Sequence, residues 1–140
     1  MIHLITGEKG KGKTKVLISN ANEEIKKAEG NIVYLDKSNK NIYELNNKIR
    51  LINVNDYLVS NTGEFLGFIC GLVSQDHDLE KIFLDSFLRI AFINDNAELD
   101  SVLDKLNDIS EKFGLEFEIS ISVIDTDIPD KYKYTIKVSL

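Results

Sequence analysis

The sequence predicts an α/β fold: a mainly parallel sheet with an antiparallel pair at its C-terminal edge. Three observations predict it. Short, mostly apolar runs, IHLI (residues 2–5), NIVYLD (31–36) and KIFLDSF (81–87), have the character of strands covered on both faces. Amphipathic stretches with helical spacing stand between them. Near the end, apolar and polar residues alternate with period two, the pattern of a strand with one wet or lightly covered face.

Taken in order, the first strand is IHLI, followed by the glycine- and lysine-rich loop GEKGKGKT from Gly7 to Thr14. Beyond the loop, Leu17, Ala21, Ile25 and Ala28 recur three or four residues apart, which predicts a helix, with Gly30 placed for a left-handed cap. Residues 31–36 form the second strand, KSNKN a polar loop, and Arg50 to Val54 a short third strand. In TGEFLGFICGLVSQ (62–75), Phe65, Ile69, Leu72 and Val73 supply a helical apolar stripe. Gly63, Gly67 and Gly71 recur there every four residues. A glycine inside a helix costs about 1 kcal/mol relative to alanine, so these are expected where the helix packs closely on the sheet. Cys70 is expected in the core.

The run 81–87 gives a strand ending in an acid, Asp85, and Leu99, Leu103, Leu106, Ile109 and Phe113 then line one side of a helix that stops at Gly114. In EFEISISV, Phe117, Ile119, Ile121 and Val123 alternate with Glu118, Ser120 and Ser122, and YKYTIKVSL alternates likewise. The connector IDTDIPDK is shorter than the roughly twelve residues a parallel crossover needs, hence the expected antiparallel pair.

Composition narrows the function. With 140 residues, 43% hydrophobic and 29% charged, the chain suits one domain, 1–140, around one core. No stretch approaches the roughly 18 apolar residues of a membrane span, and the N-terminus has no signal-peptide features, so a cytoplasmic protein is expected. One cysteine and two histidines, Cys70, His3 and His77, do not form a zinc-type cluster. The net charge of −6 and only two arginines, Arg50 and Arg89, argue against a nucleic-acid or anionic-membrane partner. The exception is local: Lys9, Lys11, Lys13 and Lys15 concentrate positive charge in the loop, which suits a small polyanion.

Gly7, Gly12, Lys13 and Thr14 satisfy G-x-x-x-x-G-K-[ST], with a strand before and a helix after, the context a phosphate-binding loop requires. Glycines let the backbone wrap an anion with its amides pointing inward, and the helix start adds its positive dipole end. Lys13 would reach the β- and γ-phosphates and the Thr14 hydroxyl would ligate Mg²⁺. The plainer alternative is a lysine-rich turn capping an ordinary helix. A metal-holding acid is also needed at the C-terminal end of a neighbouring strand, where open α/β sheets bind ligands. Asp85 is the preferred candidate and Asp36 the other, the alternative for either being a strand-end acid that caps its loop.

On these residues the chain resembles P-loop NTPases of the RecA-like (ASCE) type, with GEKGKGKT as the Walker A match and IFLDS as the Walker B match. More narrowly, it looks like the group of short bacterial ATP-binding proteins of unassigned role. The resemblance implies a three-layer P-loop-type sandwich that binds ATP with Mg²⁺. Gly7, Lys9, Gly10, Lys11, Gly12, Lys13, Thr14 and Lys15 would surround the phosphates, and Thr14 and Asp85 would serve the metal. Lys13, Asp36 and Asp85 are the catalytic candidates, with Asp36 as the base because Ser86 stands where related ATPases often place a glutamate.

The guanine signature N-K-x-D and the dinucleotide fingerprint are both absent, and two arginines leave little for a kinase lid. The expectation is a weak or partner-activated ATPase, a homo-oligomer or a protein partner remaining open. The alternatives are a non-hydrolysing nucleotide-dependent module and a small-molecule kinase. His77 is expected as a surface turn residue and Ser120 and Ser122 as outward-facing serines, one of which could instead sense a γ-phosphate; Arg50 or Arg89 could act in trans, a role that nothing in the sequence shows.

Overall fold

The computed structural model describes residues 1–140. In chain order the elements are β1 (Ile2–Thr6), α1 (Lys13–Lys27), β2 (Asn31–Asp36), β3 (Arg50–Asn53), α2 (Thr62–Gln75), β4 (Leu79–Leu84), α3 (Phe87–Ile90), α4 (Asn96–Phe113), β5 (Glu116–Ile121) and β6 (Ile136–Ser139). Short 3₁₀ turns cover Val54–Tyr57, Asp125–Asp127 and Asp130–Thr135. The strands form one six-stranded sheet in the order β3-β2-β4-β5-β1-β6, and every neighbouring pair is parallel. No helix is long and apolar enough to cross a membrane.

Both sheet faces are covered, giving an α/β arrangement of three layers. The larger core joins Leu4, Val33, Ile82 and Phe117 of the strands to Phe65 and Ile69 of α2 and to Leu99, Leu103 and Leu106 of α4. On the opposite face Ile5, Ile32, Tyr34 and Phe83 meet Leu17, Ile18 and Ala21 of α1 and Leu45 and Ile49 of the β2–β3 connection. Helices α2 and α4 start at Asn61 and Asp95, whose side chains accept hydrogen bonds from the amides of Glu64 and Glu98. Helix α4 stops at Gly114 in the left-handed conformation (φ 67°), as the sequence predicts.

The antiparallel edge pair is overturned. β5 lies inside the sheet between β4 and β1, while β6 runs parallel to β1 on its other side. The reason lies in the second alternating run. Its first half, Tyr132 to Thr135, forms a 3₁₀ turn instead of a strand, so the true connection reaches from Ser122 to Thr135 and is long enough for a parallel crossover. Ile128 and Tyr132 of that crossover pack into the α4 side of the core.

The alternation in β5 was also expected to leave a wet face, yet Glu118 and Ser120 are buried under α1. Glu118 accepts from the Asn20 amide at 2.7 Å and pairs with Lys81 at 3.1 Å and Lys137 at 3.0 Å. Burial alone would raise its carboxyl; the Asn20 hydrogen bond and the two ammonium groups outweigh that and hold it below its ordinary range.

Three smaller expectations fail on geometry. Cys70 is exposed, because the buried stripe of α2 is Phe65, Ile69 and Val73 and Cys70 points away from it. Gly63, Gly67 and Gly71 share that outer face, and a Cβ on Gly67 or Gly71 would meet nothing within 4 Å, so they are not close-packing glycines. Gly30 is not a helix cap: α1 ends at Ala28 in an extended conformation. A Cβ at Gly30 would lie 2.0 Å from the Asp78 carbonyl oxygen, so the residue is needed for a close backbone approach.

These packing differences set opposite expectations for two alanine variants in urea unfolding. Leu103→Ala, at a fully buried site, should lose about 2–5 kcal/mol. Gly67→Ala should gain up to about 1 kcal/mol, since the added methyl enters open space.

Candidate functional site

Parallel strands end together, so the loops after β1, β2, β4 and β5 meet at one edge of the sheet. The connection after β1 passes to the α1 face and the connection after β5 to the α4 face, and adjacent strands that diverge in this way open a crevice between them. A cleft of about 1120 Å³ lies there, lined by Lys9, Gly10, Gly12, Lys13, Thr14 and Lys15 of the loop, by Asp85 to Arg89 after β4, and by Ser120 and Ser122.

The loop is built on left-handed glycines. Gly7, Gly10 and Gly12 have φ of 146°, 87° and 97°. A Cβ at Gly7 would also press on Leu140 at 3.0–3.1 Å. Gly12 occupies the start of α1, no side chain caps that helix, and its first turn contains no acid. It holds Lys13 and Lys15 instead, which the positive end of the helix dipole disfavours unless an anion is present. The Lys13 side chain is buried and its ammonium donates to the Glu8 carbonyl at 2.9 Å across the loop. Burial lowers its pKa and the nearby Asp85 charge opposes that shift.

Asp85, directly after β4, is buried and saturated with donors. Its Oδ1 accepts from the Thr14 hydroxyl at 3.1 Å, the Ser120 hydroxyl at 2.7 Å and the Ser86 amide at 2.8 Å. Its Oδ2 accepts from the Tyr34 hydroxyl at 2.7 Å. Ser86 adopts the left-handed region (φ 53°), uncommon for a residue other than glycine, and its amide also reaches the Ser120 oxygen at 3.2 Å. Tyr34 is fully buried, stacked on Phe83 with ring centroids 6.2 Å apart, and its pKa is raised by burial and then by Asp85.

The structure therefore brings Thr14, Lys13 and Asp85 together. Asp36 is placed differently: it is buried at the end of β2 and is not part of the cleft wall. Its Oδ1 accepts from the Lys37 amide at 2.7 Å and its Oδ2 from the Asn41 amide group at 3.4 Å, so it organises the loop that follows. Burial, and then the Asp85 charge, raise its pKa. Glu8 and Lys11 are exposed and do not line the cleft.

Arg89 lines the cleft, whereas Arg50 begins β3 and His77 precedes β4, both at the opposite edge. Ser120 is the buried partner of Asp85, and Ser122 is exposed on the cleft wall. Sequence reasoning missed Tyr34 altogether. A tyrosine in an otherwise apolar two-sided strand, two residues before an acid, was the available signal, because a buried phenol needs a partner.

The donors suit Mg²⁺ only in part. Thr14 and Asp85 are hard oxygen groups already in contact, and no cluster of three or more metal-ligating acids, histidines or cysteines exists. Mg²⁺ commonly takes one or two protein oxygens with water and substrate phosphates completing its shell, so the pair fits such an ion only together with a phosphate ligand. No protein-family model matches this chain, and a search of curated proteins found no match.

Two measurements probe this arrangement. Tyr34→Phe keeps the stacked ring but leaves Asp85 Oδ2 unpaired, and should cost about 1–3 kcal/mol in urea unfolding. Asp36 has a raised folded pKa, so the folded chain binds its proton more readily than the unfolded one. Its ionisation therefore opposes folding, a cost absent below the ordinary carboxylate range and fully present above the folded pKa. Asp36→Asn should accordingly gain stability relative to the parent as pH rises from acid through that window, and a flat difference across pH would refute the assignment.

Proposed function

We propose that the cleft binds ATP in a P-loop manner, and that the chain is a Mg²⁺-dependent ATP-binding protein with weak or partner-activated ATPase activity. The observation that carries this reading is the start of α1. Its uncapped amides, left-handed glycines and acid-free first turn, with lysines in place of acids, match what an anion would satisfy. Beside it, the Thr14–Asp85 contact at 3.1 Å supplies the two oxygen groups that a phosphate-bound Mg²⁺ would use.

In this reading the loop amides and Lys13 hold the phosphates in a fixed position. Lys13, now bonded to the Glu8 carbonyl, would reach the phosphates, and Thr14 and Asp85 would be the residues that hold the ion. Asp85 stays in place through Ser86, Ser120 and Tyr34. The ion would supply charge neutralisation at the phosphates. Phosphoryl chemistry depends mainly on positioning and electrostatic stabilisation, and the protein groups named here contribute both.

Hydrolysis also needs a group to orient or deprotonate water within hydrogen-bond reach. Both oxygens of Asp36 are engaged, and Ser86 follows Asp85, so turnover by the isolated chain would be slow. Asp36 also lies outside the cleft wall, so faster turnover would require a partner that supplies the water-orienting group or rearranges the β2–β3 connection. The same engagement of Asp36 favours the second reading, a nucleotide-dependent interaction module without turnover.

Calorimetry with Mg·ATP tests the binding. The parent should bind, and Lys13→Ala should weaken binding at least about tenfold, the equivalent of losing a charge-assisted hydrogen bond. Asp85→Asn should selectively reduce the Mg²⁺ dependence. No heat from the parent at millimolar nucleotide would end this reading, and binding without phosphate release would select the module over the ATPase.

A further inference from the structure

The sheet has two edges, and the fold protects only one of them. At β6 the strand carries Lys137, its pairing with β1 shifts register between Leu4 and Ile5, and the 3₁₀ turn Asp130–Thr135 leads directly into it. At β3 none of these devices is present. Arg50–Asn53 pairs with β2 alone, in unbroken register, and none of its backbone groups bonds to any other part of the chain. The two middle residues of this edge, Leu51 and Ile52, are apolar. We propose that β3 is the interface of a homodimer, in which two copies of the chain pair their β3 edges antiparallel across a two-fold axis and continue one sheet into the other.

Charge identifies a second copy as the occupant. Along KIRLINVND (48–56) the cations Lys48 and Arg50 stand at the start and the acid Asp56 at the end. A two-fold axis near Ile52 lays the start of one strand against the end of the other, so Lys48 of each copy comes to the partner's Asp56. Lys48, Arg50 and Asp56 are exposed and form no ion pair within the chain. Asp76 also lies at the basic end, but its carboxylate is taken up by the Asn31 side chain and the Asp78 amide, each at 2.9 Å.

The flank of the edge is self-complementary in shape. Between β3 and α2 lies a groove of about 480 Å³ whose lining includes Ile52, Tyr57, Phe68 and Leu72. At the C-terminal end of β3, Tyr57 packs on Phe68 with ring centroids 5.7 Å apart, and Leu58 stands 90% exposed in the left-handed conformation (φ 61°). α2 runs back against the strands, so the Leu72–Gln75 end of the groove lies beside Arg50, at the far end from Leu58. The same two-fold brings the Leu58 end of each copy to the Leu72 end of the other, where apolar burial favours association. Little charge opposes that contact: Glu64 is the only charged residue of α2, in a chain that is 29% charged.

Sedimentation equilibrium of the full chain, from micromolar to millimolar concentration, tests the proposal. The parent should dimerise. Lys48→Glu and Asp56→Lys, both at exposed sites, should each weaken the dimer at least about tenfold, because each sets like charges together at both ends of the interface. An equimolar mixture of the two variants should restore association, since both contacts then join opposite charges. In hydrogen exchange the outward amides of β3 should gain protection as concentration rises, and those of β6 should not. A monomer at every concentration would overturn the proposal and leave the edge to a segment of another protein. It would equally be overturned by a dimer that the single variants leave intact, that the mixture fails to restore, or that protects β6 in place of β3. These measurements contain no nucleotide, so their outcome is independent of the ATP reading.

Discussion

One buried carboxylate ties the C-terminal edge of the sheet together. Asp85 accepts hydrogen bonds from α1 through Thr14, from β2 through Tyr34, from β5 through Ser120, and from its own chain through Ser86. An ionised carboxylate left alone in the interior would cost far more than folding could supply, so each donor is held in place by the need to satisfy it. The left-handed Ser86 follows from the same demand: only by turning sharply after β4 does its amide face back to the carboxylate and to Ser120. The loop, the helix it opens and the central strands are thereby fixed relative to one another.

A second ionic centre secures α1 from below. Glu118, buried in β5, joins Asn20 of the helix to Lys81 of β4 and Lys137 of β6. A pair of this kind brings little net stability over a well-packed apolar equivalent, but removing one partner leaves the other charged and dry. Its geometric effect is to anchor the middle of α1, while Asp85 anchors its first turn. The cleft therefore has one rigid wall in α1, and the β2–β3 connection, tied down behind the cleft by Asp36 and Asn41, provides the facing one through Lys37, Lys40 and Glu44.

The candidate site was legible in the sequence where chemistry is local. The loop needs glycines at left-handed positions and a helix directly after it, and both requirements lie within one contiguous stretch, Gly7 to Thr14. Asp85 was readable too, as the acid ending an apolar run. What was not readable is which of two similar strand-end acids faces the cleft. Asp36 and Asp85 end adjacent strands after nearly identical apolar runs, and only the partners that fold against them, Asn41 for one and Thr14, Tyr34 and Ser120 for the other, give them different surroundings. Tyr34 went unseen for the same reason, since its partner lies 51 residues away in the chain.

By itself the sequence determined the strand-and-helix alternation, the helix stop at Gly114 and the glycine loop, because these follow from periodicity and from backbone preferences of single residues. Tertiary structure decided where β5 and β6 lie, which face of α2 carries Cys70 and its glycines, and that Glu118 and Ser120 are buried. Period-two alternation is the same for an edge strand wetted on one face and for a central strand whose polar residues are paired beneath a helix. The distinction rests on hydrogen bonds and ion pairs to Asn20, Lys81, Lys137 and Asp85, which only the folded chain brings within reach.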